Sequence, residues 1–177
     1  MSNNVTVGIL SDSHGYLDPR VRDVINQCDY IIHAGDIFNA DVLEQLQPKE
    51  KLIAVAGNND LPHLWDENEV GVVNDLPETY SLELPDGLVI VEHGHRLGNH
   101  PEHSLLRKDY AEARLIVYGH THHRVIDQDE DPWVVNPGAS GKVRTHGGPS
   151  CLILNAGNDD WTFELSLIHI SEPTRLC

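Results

Sequence analysis

The stretch Val7-Gly8-Ile9-Leu10-Ser11-Asp12-Ser13-His14-Gly15 decides how the rest of the chain is read. Val7, Ile9 and Leu10 make the apolar, partly β-branched run of a buried central strand. The run stops at a carboxylate and an imidazole two residues apart, and the chain turns at Gly15. In open α/β proteins that carboxyl end of the sheet is where ligands bind. An Asp-x-His pair by itself is ordinary turn chemistry. Its weight comes from four later strand ends that carry metal-ligand residue types.

Working outward, Pro19 suits a first helical turn with Asp18 as its N-cap, and Val21, Val24 and Ile25 form the apolar stripe. Tyr30 to Ala34 is a short buried strand delivering Gly35-Asp36. A helix from about Asn39 to Leu46 follows, ending before Pro48, and Leu52 to Ala56 is a third buried strand that breaks at Gly57-Asn58-Asn59-Asp60. Three such units in a row predict parallel strands with helices on both faces. The pattern then changes. Tyr80 to Leu84 alternates, Pro85-Asp86-Gly87 turns, and Leu88 to Val91 leads to Glu92-His93-Gly94-His95. A helix near Glu102 to Ala113 precedes Leu115 to Tyr118, which stops at Gly119-His120-Thr121-His122-His123. Short antiparallel strands are expected at Val125 to Asp127, Trp133 to Asn136, Cys151 to Leu154 and Trp161 to Leu165. The fold class read from this is α/β, a four-layer α+β arrangement: two mixed β-sheets packed as a sandwich and flanked by helices.

A chain of 177 residues, 40% hydrophobic, holds one domain, read as residues 1–164. The stretch from Leu165 to Arg175 resembles a translated sequencing adapter, so residues 165–177 are set apart as a non-native tail and His169 and Cys177 receive no functional weight. No apolar run reaches the ~20 residues of a membrane span, and Met1-Ser2-Asn3-Asn4 carries no leader pattern. The three cysteines are neither paired by motif nor spaced like a zinc site, which predicts a reduced, cytoplasmic setting. Twenty-eight acidic against 12 basic residues, a net charge of −16, argue against nucleic acid as a partner. An acidic surface also repels anionic substrates unless bound cations reverse the local field.

The five strand ends present Asp12 and His14, Asp36, Asn58, His93, and His120 with His122. All seven are oxygen or imidazole donors without a thiolate, a set suited to Mn²⁺, Fe²⁺, Zn²⁺ or Ni²⁺ rather than Ca²⁺ or a structural zinc. Seven are too many for one tetrahedral ion and about right for two ions sharing a carboxylate, the arrangement that clamps both oxygens of a displacement at phosphorus.

In order and spacing, Asp12-x-His14, Gly35-Asp36, Gly57-Asn58-x-Asp60, His93-Gly94-His95 and Gly119-His120-Thr121-His122 resemble the signature blocks of the calcineurin-like metallophosphoesterases, over residues 5 to about 155. Asn136-Pro137-Gly138-Ala139-Ser140 resembles a turn of the branch holding small bacterial and archaeal phosphodiesterases and the retromer's phosphodiesterase-like subunit. The resemblance implies that Asp12, His14, Asp36 and His122 hold one ion and that Asp36, Asn58, His93 and His120 hold the other. Asp36 then bridges, and a hydroxide between the ions is the nucleophile. It further implies a phosphodiesterase acting on small organic phosphates, with two divalent ions, Mn²⁺ first among them.

One departure matters. Many members of the family have His after the Gly-Asn pair, placed to protonate the leaving group; this chain has Asn59, and an amide is no general acid. That favours activated esters or diesters over monoesters. His95 is the first candidate replacement as proton donor, with His123 behind it. Asp60 is expected to accept a hydrogen bond from a ligating histidine, with a loop-capping role as the alternative, and Asn58 to touch a phosphoryl oxygen. His33 lies inside a strand and reads as a core histidine. Arg96 and Arg124 follow ligand blocks and are minority candidates for binding phosphate, while Trp65 reads as core or rim, with the cleft border as the alternative. Specificity is expected from loops about Asp60 to Asn74, Gly98 to Ser104 and Arg144 to Ser150. The alternatives are a phosphomonoesterase or nucleotide phosphatase, and a non-catalytic protein-binding scaffold. A homo-oligomer is compatible with the sequence, which does not specify one.

Overall fold

The computed structural model describes residues 3–167; the end of the tail, 168–177, lies outside the described residues. Ten strands form two five-stranded sheets, in the orders β10-β9-β1-β2-β3 and β4-β5-β6-β8-β7. In the first, β1 (Val5–Leu10), β2 (Tyr30–His33) and β3 (Lys51–Ala54) run parallel, and β9 (Ser150–Ala156) and β10 (Trp161–Leu167) are antiparallel additions on the other side of β1. In the second, β4 (Thr79–Leu84) and β5 (Gly87–Glu92) are the expected hairpin, β6 (Leu115–Val117) is parallel to β5, and β7 (Arg124–Asp127) is antiparallel to β8 (Trp133–Pro137). One expectation needs correction: β8, antiparallel to β7 as expected, also pairs parallel to β6. β9 and β10 are the expected antiparallel strands, and they complete the first sheet.

The alternation along each strand explains the layers. Val7, Ile9 and Ile32 of the first sheet face Val89, Val91, Leu115 and Val117 of the second, in one apolar interior closed by Trp161. Leu10 and Ile31 point the other way, toward α1 (Pro19–Ile25) and α2 (Ala40–Gln45), while Ile90 and Ile116 meet Leu106 of α4 (His103–Asp109). Gly8 is needed between β1 and α1: a Cβ there would stand 2.1 Å from Ile25 Cγ1.

Asp18 caps α1 as expected, accepting from the Arg20 amide, and Asn39 caps α2 through the Val42 amide. The stretch read as a loop from Asp60 to Asn74 is partly helical, with α3 at Val70–Asn74. Its Trp65 is buried in the outer cluster beside Val73 rather than bordering a cleft. The fourth helix is shorter than expected, because Tyr110 leaves helical geometry and donates its hydroxyl to the buried carboxylate of Glu92. β10 runs on to Leu167, into the stretch read as tail.

Candidate metal centre

The carboxyl ends of β1, β2 and β3 in one sheet and of β5 and β6 in the other open on the same edge of the sandwich, and the seven donor side chains meet there. Asp36 Oδ2 lies 3.6 Å from His14 Nε2 and 3.5 Å from His93 Nε2, so one oxygen faces both halves of the cluster. On the first side, Asp12 Oδ1 is 3.4 Å from His122 Nε2 and 3.8 Å from His14 Nε2, and those two nitrogens are 3.0 Å apart. On the second, Asn58 Oδ1 is 3.1 Å from both His93 Nε2 and His120 Nδ1. Donors each about 2.1 Å from a shared ion stand roughly 3.0–3.4 Å apart at octahedral to tetrahedral angles; the 3.0, 3.1 and 3.4 Å spacings fall in that range and the 3.5–3.8 Å ones are slightly wider.

A second observation fits a cation as well. Asp12 Oδ2 accepts from Ser11 Oγ (2.7 Å) and from the His120 amide (3.0 Å), but Asp12 Oδ1 is buried without any hydrogen-bond partner. A buried carboxylate oxygen left bare is costly. Here it is aimed at three imidazole nitrogens.

The ligand loops carry an unusual backbone. Asp12, His14, Asp36, His120 and His122 all have positive φ, between 47° and 70°. Each such non-glycine residue costs about 1–2 kcal/mol. Main-chain bonds between the first two loops hold them: Asp12 N to Gly35 O, His14 N to Asp36 O and Gly15 N to Ile37 O, all 2.9–3.0 Å. Gly57 allows the close approach, since a Cβ there would lie 2.1 Å from Asp36 Oδ1.

Other polar groups orient the donors. His93 Nδ1 donates to the Ala34 carbonyl (2.7 Å) and His122 Nδ1 to the Val143 carbonyl (3.0 Å), which turns each Nε2 toward the cluster. Asn59 donates its side-chain amide to Asp36 Oδ2 (2.9 Å) and its backbone N–H to Oδ1 (3.0 Å). Asn136 donates to Gly119 O and Thr121 Oγ1, and both Ser140 N and Oγ donate to Ser11 O, so the Asn-Pro-Gly turn braces two ligand loops. Asp60 takes the loop-capping alternative: among the described residues no histidine donates to it, and it accepts the backbone N–H groups of Ile37, Phe38 and Gly57 instead. His33 is the satisfied core histidine expected, buried with Nε2 2.9 Å from Ser13 Oγ and Nδ1 accepting from the Gly35 amide.

The electrostatics follow. Burial alone would raise the carboxyls of Asp12 and Asp36, but His122 beside the first and His93 beside the second carry both below the usual range. Burial disfavours the charged form of His93 and His122, yet the carboxylates outweigh it and both are raised. His14 and His120 are lowered, by burial first. Asp60 is raised by burial despite its amide donors.

Of the remaining sequence-predicted residues, His95 is exposed, its ring 5.5 Å from that of His93 and 6.3 Å from that of His120. His123 stacks on His146 at 3.8 Å. Neither candidate phosphate-binding arginine faces the donors: Arg96 pairs with Glu92 and Asp109, and Arg124 donates to the carbonyls of His146 and Gly148. A polar cavity of about 430 Å³ adjoins the cluster, and Arg144, not singled out in the sequence, lines it with Asn59, Asn99, His100, His123 and His146.

Two sandwiched mixed sheets with oxygen and imidazole donors gathered at one edge define a metal-dependent phosphoester hydrolase. Residues 5–159 match the calcineurin-like phosphoesterase superfamily domain, and the chain belongs to that family. It is similar to phosphodiesterase MJ0936 of Methanocaldococcus jannaschii, 31% identical over 146 residues that cover 75% of this chain and 82% of that one. Among solved structures it resembles a Vps29 mutant from Entamoeba histolytica, with a TM-score of 0.72, 17% identity, and 90% and 91% of the two chains covered. It also resembles a structure described as a novel archaeal phosphodiesterase, with a TM-score of 0.67, 25% identity, and 90% and 99% covered. Among the described residues, no helix is long and apolar enough to cross a membrane.

Proposed function

We propose that this chain is a phosphodiesterase for small organic phosphates, working with two divalent ions. The observation that carries the reading is Asp36 Oδ2, placed 3.6 Å and 3.5 Å from histidine nitrogens of two donor groups. Asp12, His14, Asp36 and His122 would hold one ion, and Asp36, Asn58, His93 and His120 the other. Bound there, the ions would supply Lewis-acid chemistry, making water nucleophilic near neutral pH and offsetting charge on phosphoryl oxygens. The mixed oxygen and imidazole donors suit Mn²⁺, Ni²⁺, Fe²⁺ and Zn²⁺, of which we take Mn²⁺ first.

The protein's own groups set the rest. Asn59 secures the orientation of the Asp36 carboxylate and has no acidic proton for a departing alkoxide, which supports diesters and activated esters over monoesters. Asn58 is exposed beside the donors, able to meet a phosphoryl oxygen. His95, at the rim of the second donor group, is our candidate for protonating the leaving oxygen, and His95→Gln would then slow esters with poor leaving groups more than p-nitrophenyl esters. Cys28 and Cys151 are both buried, and a cytoplasmic setting is part of this reading.

The decisive experiment compares bis- with mono-p-nitrophenyl phosphate in the presence of Mn²⁺ or Ni²⁺. Faster turnover of the diester is expected. Preferred turnover of the monoester would instead establish the phosphatase reading. No turnover of either, with no ion retained by the purified protein, would favour a protein-binding scaffold, the reading that the likeness to Vps29 keeps in view.

A further inference from the structure

We propose that the cavity beside the donor cluster receives a second anionic group, an oxyanion carried on the organic arm of the ester; this rests on the phosphodiesterase reading and narrows its substrate. In a chain with a net charge of −16, a wall this poor in carboxylate is informative. Every residue lining the cavity is polar, and Asp36, one of the metal donors, is its single carboxylate. Among the described residues no phenyl, phenol or indole ring lines it, and His123 and His146 each cover one face of the other at 3.8 Å.

The cation is Arg144. Arg20, Arg22, Arg96, Arg107 and Arg114 each pair with a carboxylate, whereas Arg144 has none within 4.0 Å among the described residues. The other cations of its neighbourhood are engaged, Arg124 on two loop carbonyls and Lys142 over the Tyr16 ring at 4.1 Å. Arg144 Nη2 lies 3.5 Å from His122 Nε2, at the boundary between cluster and cavity. A group held there is only a few bonds from a phosphorus seated at the donors. The loop is shaped to present it: Arg144 and His146 both have positive φ, 47° and 46°, and Gly147 and Gly148 turn the chain back. Such backbone persists where surrounding contacts impose it, and here Arg124 and the Val143 carbonyl do so. A guanidinium with no carboxylate partner, beside imidazole donors, is a receptor for carboxylate or phosphate.

Two phosphonates of matched length test this, 2-carboxyethylphosphonate and propylphosphonate, titrated calorimetrically into the Mn²⁺-loaded protein. The wild type should bind the carboxylated compound about 10-fold more tightly, the range of one charge-assisted contact. Arg144→Met should bring that ratio below about 2-fold, and His146→Gln should reduce it in part. Three results would each overturn the proposal. They are no preference in the wild type, a preference that survives Arg144→Met, and an equal weakening of both phosphonates, which would place Arg144 on the shared phosphonate. Turnover of bis-p-nitrophenyl phosphate, followed in parallel, separates the two readings: turnover without preference sinks the subsite alone. Preference without turnover leaves the anion site standing and removes the hydrolase.

Discussion

His33 makes the protein sensitive to acid through one buried proton site. Its ring is wholly buried between the Asp12 and Asp36 loops, and burial pushes it down to about 4. In the unfolded chain the same imidazole titrates at its ordinary value of 6.5. Between those two values the unfolded state binds a proton that the folded state refuses, so stability rises with pH across the window. The contribution is complete above about 6.5 and declines as acid is added, by about 1.4 kcal/mol per pH unit and roughly 3 kcal/mol in all. That is a large fraction of the 5–15 kcal/mol typical of a domain. Urea unfolding of chelator-treated protein at about pH 7 and about pH 4.5 measures it, with His33→Gln as the comparison. The variant is expected to start less stable, since Ser13 Oγ and the Gly35 amide lose an imidazole fitted between them. It should then lose roughly 2.5 kcal/mol less than the wild type between those two pH values. Equal acid losses in both proteins would refute the assignment.

Asp36→Asn should cut turnover by at least about 100-fold and leave less than two ions per chain by metal analysis, because one oxygen would no longer serve both donor groups. Full activity in that variant would remove the bridging role. Ion affinity should fall with acidification and binding should release protons, since the carboxylates hold His93 and His122 above the ordinary histidine range and a cation must displace those protons. Calorimetry in buffers of different ionisation enthalpy reads the proton count, and a count of zero near neutral pH would contradict this. Asp60→Asn should lower the melting temperature through a loss of about 1–3 kcal/mol, as one amide oxygen cannot serve three backbone donors.

The seven donors were legible because each closes an apolar run whose period identifies a strand, and strand ends in one sheet layer share an edge. The capped start of α1 was legible for the same local reason. What the linear pattern could not carry is long-range pairing. The parallel placement of β8 depends on partners 18 positions away, such as Trp133 on Leu115, and the return of β9 to β1 on partners more distant still. Asp60 was ambiguous because a carboxylate near histidines suggests an imidazole partner, while the nearer demand was three amides left bare by the tight Asp36 and Gly57 turns. The positive φ of five donors left no mark in residue type, since Asp and His tolerate that region without advertising it. Arg144 had a usable signal: Gly141 to Pro149 holds two cations, a histidine and no carboxylate in an otherwise acidic chain.

The Val143 carbonyl has a consequence for how this scaffold can be re-tooled. It orients His122 through a main-chain atom, so whatever side chains occupy the segment joining β8 to β9 leave that ring where it is. Selectivity and the ion-holding frame are therefore mechanically separable. Descendants of this sequence could exchange the lysine, arginine and histidine there for other chemistries, acquiring new substrates while the apparatus beneath stays intact.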